Sequence, residues 1–465
     1  MTVNSKRISF GKPMLEAFCM DPEYTNLNSS SCGSWPKVVS KQIRDYWSML
    51  EAQPDLFSEF SQGLVLQEAR LGLARLVHAA VSECVLVSNV TTGIFTVLYN
   101  QAFEERDVVV TLSTTYGAID HGITSLAETR PFKTRRVEFE LPTTGEKIVS
   151  QFETTIAQIR AEGLRPRLAI LETIVSIPAV RMPFEDLLRV CQKEGIMTLV
   201  DGAHSVGQFE VNLQELQPDF FVSDCHKWLF VPRPCAFLYV AERNQHTMRS
   251  AIPTSFGFIP KNGNSRLPLW SQMVSASETA SSFETLFAYT ATSDNMPHLC
   301  IPAALRFRRD VCGGEAAIYE YITWLAKEGG DKVADILQTE VLEEPGLGAG
   351  VDGQMRNCGI VTVRLPLAIA TGPSTAPAHV PGGALTEKEV GPAVRYLTKA
   401  LAERYKTWIP IIDYRGWIWA RLCAQVYLEV SDFEMAGTAL KVICEEILNR
   451  EMGQEIAESY RWHHH

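Results

Sequence analysis

Lys227 stands in the run Ser223-Asp224-Cys225-His226-Lys227-Trp228, an amine beside an imidazole with apolar and aromatic residues around them. Lysine is rarely placed among such neighbours without a task. An amine there can attack a carbonyl or remove a proton from carbon, although a structural or snorkelling lysine is the competing reading of the residue alone. Twenty-six positions earlier, Asp201 opens Asp201-Gly202-Ala203-His204-Ser205. A carboxylate followed by Gly can cap the next helix, or it can face a cationic ring nitrogen. A third cluster, Asn89-Val90-Thr91-Thr92-Gly93, puts two hydroxyls and a glycine at what reads as a helix start. Backbone N–H groups and hydroxyls there suit a phosphate, and the same residue types also serve as plain caps.

The elements that must position these residues alternate in kind. Short apolar runs at Val85–Ser88, Val108–Leu112, Val137–Leu141, Leu168–Leu171, Thr198–Val200, Phe220–Val222 and Phe237–Val240 read as strands buried on both faces. Helix-length segments such as Gly93–Phe103, Ser150–Ala161 and Phe184–Glu194 separate most of them. That alternation predicts an α/β fold with a seven-stranded, mainly parallel sheet covered by helices. All three polar clusters follow a strand, where open parallel sheets bind their ligands. After Asp294 the pattern changes. Helices are predicted over Pro302–Val311 and Ala316–Ala326, strands over Ile360–Leu365, Trp408–Ile412 and Trp417–Leu422, and a last helix over Asp432–Arg450. The predicted division is an N-terminal segment 1–40, a large domain 41–300 and a smaller α+β domain 301–462. A stretch rich in Pro, Gly and Ala, Thr371–Gly383, reads as a mobile segment or lid.

Taken together, a helix start fit for phosphate, then Asp201, then Lys227 is the layout that pyridoxal 5'-phosphate needs: a cradle, a carboxylate for its ring nitrogen and an amine. The sequence resembles the fold-type-I enzymes of the class V aminotransferase group, which includes cysteine desulfurases, isopenicillin N epimerase-like proteins and kynureninase. The resemblance is carried by Asn89–Gly93, Thr115-Tyr116-Gly117-Ala118, Asp201–His204, Cys225–Trp228, Ala291-Thr292-Ser293-Asp294 and Arg421-Leu422-Cys423-Ala424-Gln425-Val426-Tyr427. These run in order from about Asn26 to Phe433, and they are most similar to the epimerase-like branch and to fungal carbon–sulfur lyases of ergothioneine synthesis. The resemblance implies that Lys227 holds the cofactor covalently and then serves as base, and that Asp201 keeps the ring nitrogen protonated. It assigns phosphate contacts to Thr92, Gly93 and His226, and to Thr292 from a second subunit, which makes the expected protein a homodimer with a shared site. It places His204 and Ser176 at the cofactor 3-hydroxyl or substrate polar groups. Tyr116 falls at the aromatic stacked over the ring, and Arg421 at the clamp for the substrate carboxylate. Two departures stand out: Asp224 replaces a neutral residue near the phosphate, and the loop after the lysine reads Val231-Pro232-Arg233-Pro234-Cys235 where glycine is usual. A carboxylate at 224 must point away, bond a backbone N–H or carry a proton.

The cofactor permits several reactions, and cysteine placement separates them. Desulfurases need a mobile thiol shortly before the carboxylate-binding arginine, yet Lys399–Ala420 contains no Cys. Cys423 reads as core, leaving Cys235 or Cys358 as thiols another loop could deliver. The reading favoured is β-elimination from a sulfur-containing amino acid, a cysteine-conjugate sulfoxide such as hercynylcysteine sulfoxide, with Tyr116 as acid for the leaving sulfur. An epimerase, a desulfurase or a scaffold that has lost its cofactor are the alternatives. Tyr24, Trp35, Tyr289 and Trp417 are candidate aromatic partners for a trimethylammonium group.

Composition narrows the rest. The chain has 465 residues, 46% of them apolar and 21% charged, which excludes disordered, collagen-like and coiled-coil classes. With 43 Lys plus Arg against 54 Asp plus Glu, the net charge of −11 disfavours a nucleic-acid surface. No apolar run approaches membrane length, Met1–Phe10 lacks a leader's apolar region, and a cytoplasmic protein is expected. The 11 Cys are odd in number and scattered without ligand spacing, so neither a disulfide framework nor a metal site is expected. His463–His465 read as a tag remnant.

Overall fold

In the computed structural model the described residues are 7–252, 254–258, 260–261, 281–346, 353–370 and 384–450. The proposed lid Thr371–Gly383 and the histidines 463–465 lie outside them. The chain divides into two compact units: residues 1–7, 32–175 and 182–316 form one, and residues 8–31, 176–181 and 317–465 the other.

The first unit is built on seven strands: β1 (Cys84–Val87), β2 (Asp107–Leu112), β3 (Phe132–Val137), β4 (Arg165–Glu172), β5 (Met197–Asp201), β6 (Phe220–Asp224) and β7 (Ala236–Val240). Their order across the sheet is β1-β7-β6-β5-β4-β2-β3. β7 runs antiparallel to both neighbours and every other pairing is parallel, as the alternation of strands and helices predicts. Central strands are largely apolar because helices cover both faces, with polar residues such as Asp107 and Asp224 at strand ends; every residue of β2, β6 and β7 is buried. The edge strand differs. β3 reads Phe-Lys-Thr-Arg-Arg-Val with only its end residues buried, so its charged middle concealed it and the sequence reading placed the strand late, over Val137–Leu141. Charged residues on an exposed edge are a common guard against unwanted pairing.

Helix Val90–Asn100 follows β1 and presents Val90, Ile94, Val97 and Leu98 to a core that includes Val222 and Leu238. Asn89 caps it, accepting the Thr92 N–H at 2.8 Å. Gly93 lets this helix lie directly on the sheet, since a Cβ there would stand 2.5 Å from Val222 Cγ1. Helix Ile301–Asp310 falls in this first unit rather than with residues 317–465. Its Arg308 is fully buried and donates to the carbonyls of Trp228 (2.7 Å) and Gly207 (3.1 Å), while its charge meets Glu315.

The second unit carries β8 (Ile360–Ala370), β9 (Leu385–Thr386), β10 (Ile411–Tyr414) and β11 (Trp417–Cys423) in the order β10-β11-β8-β9. Helices Glu387–Tyr405 and Val430–Leu448 accompany this sheet. The former was not read from sequence, because Gly391 and Pro392 interrupt its pattern just after a Pro- and Gly-rich stretch; a Thr386/Glu389 capping box starts it.

Gly93→Ala should destabilise the protein by about 1–3 kcal/mol through overpacking, read as a lower urea midpoint. Val222→Ala in the same chain should return part of the loss. An unchanged midpoint in the single variant would show that the helix is free to lift.

Candidate active site

The carboxyl ends of β1, β5 and β6 deliver the three residue groups that the sequence singles out. β6 ends at Asp224 and passes into the single turn Cys225–Trp228 that carries Lys227. Asp224 is buried; its Oδ2 lies 2.9 Å from Lys227 Nζ and its Oδ1 accepts the Val90 N–H at 3.0 Å. Of the outcomes open to this carboxylate, the structure takes the backbone bond, and adds an ion pair. The charge also sits at the helix N-terminus, where the helix dipole favours an anion. His226 Nδ1 is 2.9 Å from the Cys235 carbonyl and 3.8 Å from Asp224 Oδ1, and burial lowers its pKa. With Nδ1 so engaged, a phosphate contact from this imidazole falls to Nε2. Beside the cap, Ser88 Oγ donates to Thr92 Oγ1 at 3.1 Å, so two hydroxyls flank the helix start. Gly93 is buried and its N–H goes to the Asn89 carbonyl; its place is explained by packing.

Asp201 ends β5 in register with Glu172 on β4 and Val222 on β6. Its Oδ1 accepts the Ala203 N–H at 3.0 Å, and burial pushes its pKa up to about 6. The turn that follows is pinned: Gly202 N–H donates to the Val222 carbonyl at 2.8 Å, and Ser223 and Ser205 hydroxyls both reach the Gly202 carbonyl. Gly207 adopts a φ of +100° where a Cβ would lie 2.8 Å from the Trp228 carbonyl oxygen. Arg308, bonded to both Gly207 and Trp228, thus joins the Asp201 turn to the lysine turn. His204 is buried in the same turn.

Glu172 was not identified from sequence, where it reads as the polar end of an apolar strand. It is buried, accepts the Tyr116 N–H at 3.0 Å and lies 2.6 Å from Thr114 Oγ1. Burial raises its pKa to about 8, and neighbouring Asp201 adds to the rise. Tyr116 keeps its ring 49% exposed at the start of helix Gly117–Ala127. Thr292 is exposed, its hydroxyl 3.4 Å from that of Tyr289.

In the second unit, Arg421 is buried on β11. It donates to the Ser176 carbonyl (3.0 Å), Asn28 Oδ1 (2.9 Å) and Ser31 Oγ (2.7 Å). Ser176 therefore meets Arg421 through its backbone, and Asn28 and Ser31 are partners that sequence reasoning missed within the polar run Asn26–Ser31. Of the proposed aromatic partners, Trp417 stacks with Arg364 at 4.4 Å and Trp35 lies 5.9 Å from the Arg233 guanidinium.

Residues 25–257 match the profile of the family described as Aminotransferase class-V. The chain belongs to that family. Its relatives include the L-cysteine desulfhydrase-like protein lolT2 of Epichloe uncinata, 95% identical over the full length of both chains. The hercynylcysteine sulfoxide lyase of Schizosaccharomyces pombe is 25% identical, the match covering 94% of this chain and 98% of that one. The same fold occurs in the cystine C–S lyase C-DES, solved with its product cysteine persulfide, at a TM-score of 0.68, 17% identity and 90% and 97% coverage. The cofactor of this class V chain is pyridoxal 5'-phosphate. The residues present fit it: an amine already paired with a carboxylate, a second buried carboxylate one strand away, and a hydroxyl-lined helix start.

Asp201 and Glu172 both have pKa values above the ordinary carboxylate range of about 4. The fold then binds protons that the unfolded chain releases, so their contribution to stability is full below about pH 4 and is lost as pH rises through about 6 and 8. The melting temperature of cofactor-free protein should fall between about pH 4.5 and 8 and level off above that, and Glu172→Gln should flatten the part of the fall above about pH 6. An identical slope in the variant would contradict this account of Glu172.

Proposed function

We propose that the protein is a pyridoxal-phosphate-dependent carbon–sulfur lyase that performs β-elimination on a cysteine-conjugate sulfoxide, hercynylcysteine sulfoxide. The products are pyruvate, ammonia and a sulfenic acid that a thiol reduces to ergothioneine. The observation that carries the reading is the Lys227–Asp224 pair beside buried Asp201, with support from the S. pombe lyase matching nearly end to end. When bound, the cofactor supplies an electron sink that acidifies the substrate α-proton. Lys227 removes that proton, and Asp201 holds the proton on the ring nitrogen. Thr92 and His226 Nε2 hold the phosphate. Arg421, its plane fixed by Asn28, Ser31 and the Ser176 carbonyl, clamps the substrate carboxylate, which a planar fork of donors fits. Tyr116 gives its hydroxyl proton to the departing sulfur. A second copy contributes Thr292, making the working form a cytoplasmic homodimer.

Elimination is favoured over persulfide transfer by where the thiols lie. Cys235, Cys358 and Cys423 are all buried; burial raises the Cys358 thiol to about 11 and the Cys235 thiol well above the usual range. One observation favours the rival desulfurase reading: exposed Cys32 adjoins Gly33, where a Cβ would clash with the His226 carbonyl oxygen and lie 2.5 Å from that of Lys227.

Purified holoenzyme should show a visible absorption band that Lys227→Ala abolishes. Incubated with hercynylcysteine sulfoxide and a thiol, it should form pyruvate and ergothioneine in equal amounts. Pyruvate and sulfide from L-cysteine alone would move the substrate to cysteine, and absence of pyruvate from both would end the lyase reading. Cys32→Ser should leave the pyruvate rate within about twofold, as for a surface change. Alanine formation that disappears in Cys32→Ser would establish the desulfurase instead.

A further inference from the structure

Glu172 has a polar side chain at the end of a strand whose other residues from Leu168 onward are apolar and buried. Its carboxyl takes hold of the Thr114–Tyr116 turn at two points, Tyr116 N–H on Oε1 at 3.0 Å and Thr114 Oγ1 on Oε2 at 2.6 Å. The turn is closed on its other side by Thr115: its N–H donates to the Leu112 carbonyl at 3.0 Å and its hydroxyl accepts the Leu112 N–H at 3.1 Å. The Tyr116 carbonyl in turn accepts from Ile119 (2.8 Å) and Asp120 (3.0 Å), the first bonds of helix Gly117–Ala127. The backbone of Tyr116 is thus held on both sides while its ring stays half exposed.

We propose that Glu172 is a positioning residue: by clamping Thr114 and Tyr116 it fixes the direction of the Tyr116 ring toward the cofactor anchored by Lys227. The proposal rests on the reading of Tyr116 given above. A protonated carboxyl suits the position, because its hydroxyl oxygen Oε2 still accepts from Thr114 Oγ1 while its carbonyl oxygen Oε1 accepts from Tyr116 N–H. The raised pKa of this buried group agrees with that state, which also spares Asp201 a second negative charge on the adjacent strand. Glutamine keeps an acceptor for the Tyr116 N–H and can meet the Thr114 hydroxyl, once that rotates, with its amide N–H, whereas alanine removes both partners and leaves the Tyr116 N–H unbonded.

The test compares holoenzymes of wild type, Glu172→Gln, Glu172→Ala, Tyr116→Ala and the Glu172→Ala/Tyr116→Ala double variant. Two readouts are taken: the visible circular dichroism of the bound cofactor, which reports an aromatic ring held over it, and kcat and KM for pyruvate formation. Glu172→Gln should keep the wild-type dichroism. Glu172→Ala should weaken the band as Tyr116→Ala does and lower kcat about 10- to 100-fold with KM little changed, the upper end being what a misplacement of about 1 Å can cost. The double variant should be no worse than Tyr116→Ala alone. Wild-type dichroism in Glu172→Ala, or losses that add in the double variant while Tyr116→Ala is impaired, would overturn the clamp and leave the Tyr116 reading standing. No effect of Tyr116→Ala on either readout would overturn both. If Glu172→Ala does not fold, Thr114→Val removes one of the two bonds and should give a partial loss, absent when Tyr116 is already Ala; a wild-type band would count against the proposal.

Discussion

The site in the first unit depends on one buried carboxylate. Asp224 is bonded at once to the Val90 N–H and the Lys227 ammonium, and these two partners are 137 residues apart in the chain. A charge placed so deep is tolerated only if its partners stay; removing one member of such a pair typically costs about 3–5 kcal/mol. The constraint works in both directions. The carboxylate fixes where the amine stands, and the amine and helix end together make the carboxylate tolerable. The Thr92 and Ser88 hydroxyls lie at the same helix start, bonded to each other.

Around that centre the structure spends buried polar groups on relative placement. Arg308 ties the Gly207 and Trp228 carbonyls, so the turn after Asp201 and the turn bearing Lys227 cannot drift apart without stranding a guanidinium. Ser223 and Ser205 pin Gly202 from two sides. The three groups arrive on different strands, and the turn after Asp201 is braced to the Lys227 turn and to β6 by Arg308 and Ser223. Such bracing is what preorganised sites require, since errors of an ångström are costly.

Lys227, Asp201 and the Asn89–Gly93 helix start were legible because their residue types are unusual where they occur, just after apolar strands. The central strands were legible for the same reason: runs such as Phe220–Val222 have no polar face. β3 was misplaced because Lys133, Arg135 and Arg136 belong to an edge, where apolarity is no guide. Glu172 and Arg308 stayed hidden, since a lone Glu or Arg carries no local pattern and only the folded partners reveal its burial. Asn28 and Ser31 escaped for a related reason. Their bonds to Arg421 span about 390 positions of sequence, beyond any periodicity.

The reversed strand β7 has a consequence for how the chain assembles. Because β6 and β7 are antiparallel, Lys227 lies inside a hairpin connection: Asp224 pairs with Ala236, twelve positions away, whereas Val87 pairs with the same Ala236 across 149. Closing a short loop forfeits less chain entropy than closing a long one. The lysine therefore rides on the most local piece of the sheet. The strand end that feeds the helix cap joins across a far longer excursion, so the placing of the Lys227 turn rests on sequence-local contacts and that of the Asn89–Gly93 helix start on long-range ones.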